Sequence, residues 1–114
     1  MTLSIGMITF DTLDAATLAQ WWARQVGGEV RDESGGWFVT VSRPDGSTLA
    51  FQKVFDPTPG KNRVHIDFHA QDREAEVERL LGDGASLVAR HEMGGFEWAV
   101  LADPDGNQFC VAQG

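Results

Sequence analysis

Cysteine is nearly absent from this 114-residue chain, where Cys110 stands alone. No internal disulfide can form, and a reducing cytoplasm is the compartment that fits. Positive charge is also scarce, with 9 Lys and Arg against 17 Asp and Glu and a net charge of −8. That balance argues against nucleic acid or an anionic membrane surface as partner, and the acidity reads first as a means of staying in solution. No apolar run approaches the roughly 18 residues that a membrane-spanning helix needs. Met1 to Phe10 lacks both the basic start and the apolar stretch of a secretory leader. What the chain does have is apolar material, 42% of its residues, in a length that suits one domain with one core.

The stretch from Phe96 to Val111 organises the rest. It runs apolar, turns through Asp103-Pro104-Asp105-Gly106-Asn107, and runs apolar again. This is the pattern of a β-hairpin in which Pro presets φ and Gly supplies the positive-φ position. The pattern occurs twice. Glu33-Ser34-Gly35-Gly36-Trp37 leads to Pro44-Asp45-Gly46-Ser47 as Glu92-Met93-Gly94-Gly95-Phe96 leads to Pro104-Asp105-Gly106-Asn107, at offsets of 59 residues (33 to 92) and 60 (44 to 104).

The elements repeat with the hairpins. Ser4 to Thr12 alternates as a half-buried strand, with Ile8 and Phe10 on one side and Met7, Thr9 and Asp11 on the other. Asp14 is placed to cap a helix to about Gln25, carried by Leu18, Trp22 and Val26 and ended by Gly27-Gly28. Trp21 lies at the edge of that stripe, and core packing accounts for the Trp21–Trp22 pair better than ligand contact does. Strands are expected over 29–32, 36–42 and 48–53. Asp56 to Asn62, with two prolines and a glycine, reads as a linker between a first unit, 1–55, and a second, 63–114.

The second unit repeats the order. A strand is expected over 63–70, then a helix capped by Asp72 and running to about Gly82. Val77, Leu80 and Leu81 form its inner stripe, while Arg73, Glu74, Glu76 and Glu78 form its solvated face. Strands follow over 86–91, 96–102 and 108–112. The expected fold class is therefore α+β: two tandem β-α-β-β-β units forming a curved eight-stranded mixed sheet, with two helices on its convex face and the concave face free for function.

On the strand from Arg63 to Ala70, Val64, Ile66 and Phe68 fall on the helix side, and His65, Asp67 and His69 share the open face. Such a stripe is either a wet surface or a site in which His65 is a general base or metal ligand. His65 and His69 have backbones ~13 Å apart at ~3.3 Å per residue, too far to share one metal at N–metal distances of ~2 Å. A partner for His65 must come from another strand. At offsets of 58 and 60 the repeat pairs His65 with Met7 and Cys110 with Ala50, so these four are expected to converge on the concave face. Met7 and Ala50 cannot complete a site for Zn, Mn or Fe. His65 and Cys110 are alternatively a base and thiolate pair, against the ordinary reading of a strand Cys as a small buried hydrophobe. Trp37, Phe96 and Trp98 flank the concave face, where they either pack the core or line a cleft. Lys61 and Arg63 are placed either to hold an anion or simply to solvate a loop.

The repeated units, the Asp14–Trp22 helix with Gly27-Gly28, the Val64-His65-Ile66-Asp67 strand and Asp103-Pro104-Asp105-Gly106-Asn107 together resemble the vicinal oxygen chelate superfamily. This group is also called the glyoxalase, bleomycin-resistance and extradiol dioxygenase superfamily. The stretch Asp56–Asp67 looks most like its small bacterial glyoxalase-like members. The resemblance implies a divalent ion held by side chains of the first, fourth, fifth and eighth strands, here Met7, Ala50, His65 and Cys110. Met7 stands where a His or Gln is usual, and Cys110 where a glutamate is usual, so only His65 matches. The expected function is a cytoplasmic homodimer without a cofactor that binds an aromatic or apolar small molecule through Met7, Trp37, Ala50, His65, His69, Trp98 and Cys110. The alternative is a lyase or isomerase in which His65 is base or metal ligand and Asp67 or a divalent metal assists.

Overall fold

The computed structural model describes residues 1–114 as two compact units, Met1–Thr58 and Pro59–Gly114. The first contains β1 (Ile8–Thr12), α1 (Ala15–Val26), β2 (Glu29–Asp32), β3 (Phe38–Ser42) and β4 (Thr48–Lys53). Its sheet has the order β1-β4-β3-β2, with β1 parallel to β4 and the other pairs antiparallel. The second contains β5 (Asp67–Ala70), α2 (Arg73–Gly82), β6 (Ser86–Met93), β7 (Phe96–Ala102) and β8 (Gln108–Gln113), in the equivalent order β5-β8-β7-β6. The α+β class and both β-α-β-β-β units are as the sequence indicates. The sheets are two of four strands each, however, not one of eight. The residues expected to extend the first strand of each unit, Ser4–Met7 and Arg63–Ile66, are irregular. No helix is long and apolar enough to cross a membrane.

Each helix begins on its expected cap. The Asp14 carboxylate accepts from the Thr17 amide at 3.1 Å and from its hydroxyl at 2.8 Å, and these bonds hold its pKa below the ordinary range. Asp72 accepts from the Ala75 amide at 3.1 Å. Such caps satisfy amides that have no partner inside the helix. Helix α1 buries Ala15, Leu18, Ala19, Trp21 and Trp22. The two Trp rings meet edge-on at 5.0 Å, while Phe10 reaches Trp22 at 5.7 Å and Phe51 at 5.0 Å. The tryptophan pair is thus core.

Helix α2 buries only Val77 and Leu80, and Leu81 is exposed, so the expected inner stripe is narrower by one residue. Arg73 departs from its expected solvated role. Its guanidinium donates to the Glu97 carboxylate at 2.8 Å, and its amide donates to the Gln113 side chain at 3.0 Å, fastening the start of α2 to β7 and β8. Val64, expected on the helix side, is 81% exposed, because the chain has not yet entered the sheet there.

The internal repeat survives in the register. Thr9 pairs with Ala50 and Asp67 with Cys110; Thr40 pairs with Ala50 and Val100 with Cys110. Both hairpin turns close alike, by Arg43 N–Ser47 O and Asp103 N–Asn107 O at 2.9 Å each. The bracing differs. Buried Asp103 accepts from the amides of Asp105 and Asn107 at 3.0 and 2.8 Å, a place that Arg43 takes in the first copy. There Asp45 accepts from Ser47 instead, which lowers the Asp45 pKa.

Gly27 and Gly28 end α1 for different reasons. Gly27 has φ of 65° in open space, whereas a Cβ on Gly28 would lie 2.4 Å from Val41 Cγ1. Gly27→Asn should cost less than about 1 kcal/mol, since Asn tolerates the left-handed region. Gly28→Ala should cost about 1–3 kcal/mol through overpacking. Urea midpoints will rank them, and equal losses would contradict the distinction.

Candidate functional site

In the second unit, strand alternation separates two faces. Ala99, Leu101, Phe109 and Val111 are buried with Val77 and Leu80 of α2. The opposite parity places Asp67, Cys110 and Val100 in one row across β5, β8 and β7, and His69, Ala112, Trp98 and His91 in the next row, which reaches β6. Phe96 and Met93 form a third row. These residues line a concavity of about 710 Å³. Trp98 lies 5.3 Å from His91 and 5.7 Å from Phe96, ring to ring, so the β6–β7 side is aromatic. The β5–β8 side is polar.

The polar side is a cluster of three donors. His65 Nε2 lies 3.3 Å from Asp67 Oδ1, and one donor atom from each of His65, Asp67 and Cys110 falls within 4.8 Å of the others. His65 precedes β5, yet its segment is held at both ends. The Asn62 side chain accepts from Gln108 N at 2.8 Å and donates to Gln108 O at 2.9 Å, so one amide imitates a strand partner. It also donates to Val64 O at 2.8 Å. Further on, Cys110 N donates to Ile66 O at 3.0 Å. Asn62 reads in the sequence as a linker residue. Only its pairing to Gln108, which lies 46 residues away, reveals its role.

Burial pushes the Cys110 thiol pKa up, and the hydrogen bond to Asp67 and the charge of Asp67 add to the rise, while Lys61 opposes it. A thiol raised in this way stays protonated at neutral pH and makes a weak nucleophile. This tells against the base and thiolate pair.

The expected site residues are thereby divided. His65, Asp67, His69, Trp98 and Cys110 line the second unit's concavity, together with Lys61. Met7, Ala50 and Trp37 belong to the first unit. Met7 precedes β1 and is half exposed, and Ala50 is wholly buried on β4. Trp37 is not the counterpart of Trp98. Phe38 opposite Gln52 occupies the position that Trp98 opposite Ala112 holds in the second unit. Trp37 shares the parity of Val39, whose partner Phe51 packs on Phe10. Its half-exposed ring meets Phe55 edge-on at 6.0 Å, under Lys53 Nζ at 4.9 Å. The one-residue difference between the 59- and 60-residue offsets is the signal that separates the two tryptophans.

Two β-α-β-β-β units of the same strand order define an α+β fold, and the second carries a concavity beside a polar cluster. The model of the glyoxalase-like domain matches residues 7–112, and the chain belongs to that family. Solved structures agree. The chain is similar to a genomically encoded fosfomycin resistance protein, FosX, from Listeria monocytogenes (16% identity, TM-score 0.80, covering 100% of this chain and 95% of that one). It is also similar to a glyoxalase/bleomycin resistance protein/dioxygenase family enzyme from Burkholderia phytofirmans PsJN (20%, 0.76, 95% and 96%). A third is a lactoylglutathione lyase from Agrobacterium tumefaciens (17%, 0.72, 97% and 93%). No curated protein matches the sequence.

The metal that the fold implies has a partial fit. The first-unit positions Met7 and Ala50 supply no nitrogen or oxygen donor. The second-unit positions His65 and Cys110 supply two donors, and Asp67 adds a third. A bound cation would act there as a Lewis acid.

Removing the Asp67 charge takes away its repulsion of the thiolate. Asp67→Asn should therefore lower the Cys110 pKa, and the pH–rate profile for alkylation of Cys110 should shift to lower pH. An unmoved profile would assign the rise to burial alone. Asn62→Ala should lower stability by about 1–3 kcal/mol, the cost of leaving partly buried backbone groups unpaired, read as a fall in urea midpoint.

Proposed function

We propose that this protein binds a small molecule with an aromatic or apolar body in the second unit's concavity. The observation that carries this reading is the division of one open sheet face into an aromatic side, with Trp98, Phe96 and His91, and a polar side, with His65, Asp67 and Lys61. Stacking against Trp98 supplies affinity, and the convergent polar groups orient the other end of the ligand. The names of the neighbouring structures, which include a fosfomycin resistance protein and a lactoylglutathione lyase, support a small-molecule role. In this reading the protein acts in the cytoplasm, in keeping with its single, unpaired cysteine, and as a homodimer.

Trp98 is a built-in reporter, because Trp21 and Trp22 are core residues and Trp37 lies outside the concavity. A panel of aromatic small molecules should include members that quench fluorescence saturably, with the response kept in Trp37→Phe and lost in Trp98→Phe. No saturable quenching at millimolar concentration would reject the reading. Sedimentation should give twice the 12.5 kDa chain mass.

The 3.3 Å contact of His65 with Asp67 favours a second reading, a lyase or isomerase in which His65 takes a proton from carbon while Asp67 orients the ring. Wild-type protein in D₂O should then place deuterium next to the carbonyl of a hydroxy-ketone substrate, and His65→Gln should not. Equal labelling in both would remove this reading.

A further inference from the structure

We infer that His65, Asp67 and Cys110 form a nitrogen–oxygen–sulfur site for one thiophilic divalent cation of the zinc class, built wholly within the second unit. The inference concerns the polar side of the proposed ligand cavity and is tested without any small molecule. Three observations carry it.

The first is convergence. Asp67 and Cys110 are direct partners in the parallel β5–β8 pair. His65 lies two residues before Asp67, and its side chain comes back to the Asp67 carboxylate, Nε2 to Oδ1 at 3.3 Å. All three donor atoms lie within 4.8 Å of one another. Donors around a tetrahedral ion held at ~2.0–2.3 Å stand roughly 3.3–3.8 Å apart. The His65–Asp67 separation of 3.3 Å already meets that spacing, and small side-chain rotations bring Cys110 in.

The second is rigidity. Asn62 and the Ile66 carbonyl fasten the His65 segment to β8 on either side, at Gln108 and Cys110. The donors are therefore presented by hydrogen-bonded backbone, and little ordering is left to be done on binding.

The third is donor chemistry. A thiolate with an imidazole and a carboxylate favours zinc, cobalt or cadmium over magnesium, calcium or manganese. Cys110 enters as thiolate, its proton passing to solvent, and Asp67 exchanges the thiol hydrogen bond for the cation. Three protein donors leave one tetrahedral position for water or a ligand atom from the concavity. The site departs from the four-strand arrangement implied by the fold: Asp67 is a donor, and Met7 and Ala50 play no part.

The test is a Co²⁺ titration of metal-free, reduced, untagged protein, followed by absorption. Wild type should give a thiolate-to-cobalt charge-transfer band with strong visible d–d bands, both removed by equimolar Zn²⁺ and unaffected by Mg²⁺. Cys110→Ser should abolish the charge-transfer band. His65→Ala and Asp67→Ala, at exposed positions where folding is not at risk, should each weaken Co²⁺ binding at least tenfold, the lower end of what loss of a supporting group costs. Absence of the band in wild type would overturn the site. So would a band that persists at unchanged affinity in both His65→Ala and Asp67→Ala, which would mean binding by the thiol alone. Quenching of Trp98 by an aromatic ligand in metal-free protein is a separate readout. Its loss would sink the ligand reading and leave the cobalt result standing, and the reverse holds equally.

Discussion

The parallel pairing of the first strand of each unit with the last is the constraint on which the rest depends. A parallel pair cannot be joined by a tight turn, so a crossover containing a helix must lie between its members. In the second unit that crossover is α2 followed by the β6–β7 hairpin, and it sends the chain back to insert β8 between β5 and β7. Inserting β8 puts Cys110 between Asp67 on one side and Val100 on the other. Residues 43 apart in sequence thus share a row without any local signal linking them.

The two units show what one register does with different residues. Thr9 and Ala50 stand in the first unit where Asp67 and Cys110 stand in the second. Thr9 and Ala50 hold no ionisable group, and Met7 two residues earlier is a thioether. In the second unit the same three places carry Asp67, Cys110 and His65. The strand register is retained and the ionisable groups at these places sit in one copy, where Asn62 adds a side-chain bridge to Gln108. The apolar side remains similar in both: Phe10 and Phe51 in one, Phe68 and Val111 in the other, at matched register.

Much of the fold was legible because its signals are local. Asp14 and Asp72 cap helices through amides three residues on, and Pro-Asp-Gly closes a turn within five residues. The repeat then carried these local signals across the chain and made Met7 the counterpart of His65 and Ala50 the counterpart of Cys110. What stayed hidden depends on distance or on a single-residue phase. Whether Arg63–Ile66 join a sheet is decided by hydrogen bonds to β8, and alternation in sequence is the same for a paired and an unpaired extended segment. Asp67 looked like an assistant to His65 because only the register shows that it faces Cys110 directly. Trp37 and Trp98 looked alike because each follows a Gly-Gly turn closely, yet one residue of phase turns them to opposite sides of their sheets.

The balance at Cys110 ties the geometry to chemistry. With no cation, burial and the Asp67 carboxylate both favour the thiol over the thiolate, so the donor set rests as a neutral S–H held by a carboxylate. A divalent charge placed among the three groups would reverse the effect of Asp67: the carboxylate would become a co-ligand, and the thiolate would gain a cationic partner. Burial, which penalises the bare thiolate, would then work in favour of an ion–thiolate pair, because attraction is stronger where water is excluded. The features that make Cys110 a weak nucleophile are therefore the same ones that would suit it to the proposed cation site, and one added charge would separate the two roles.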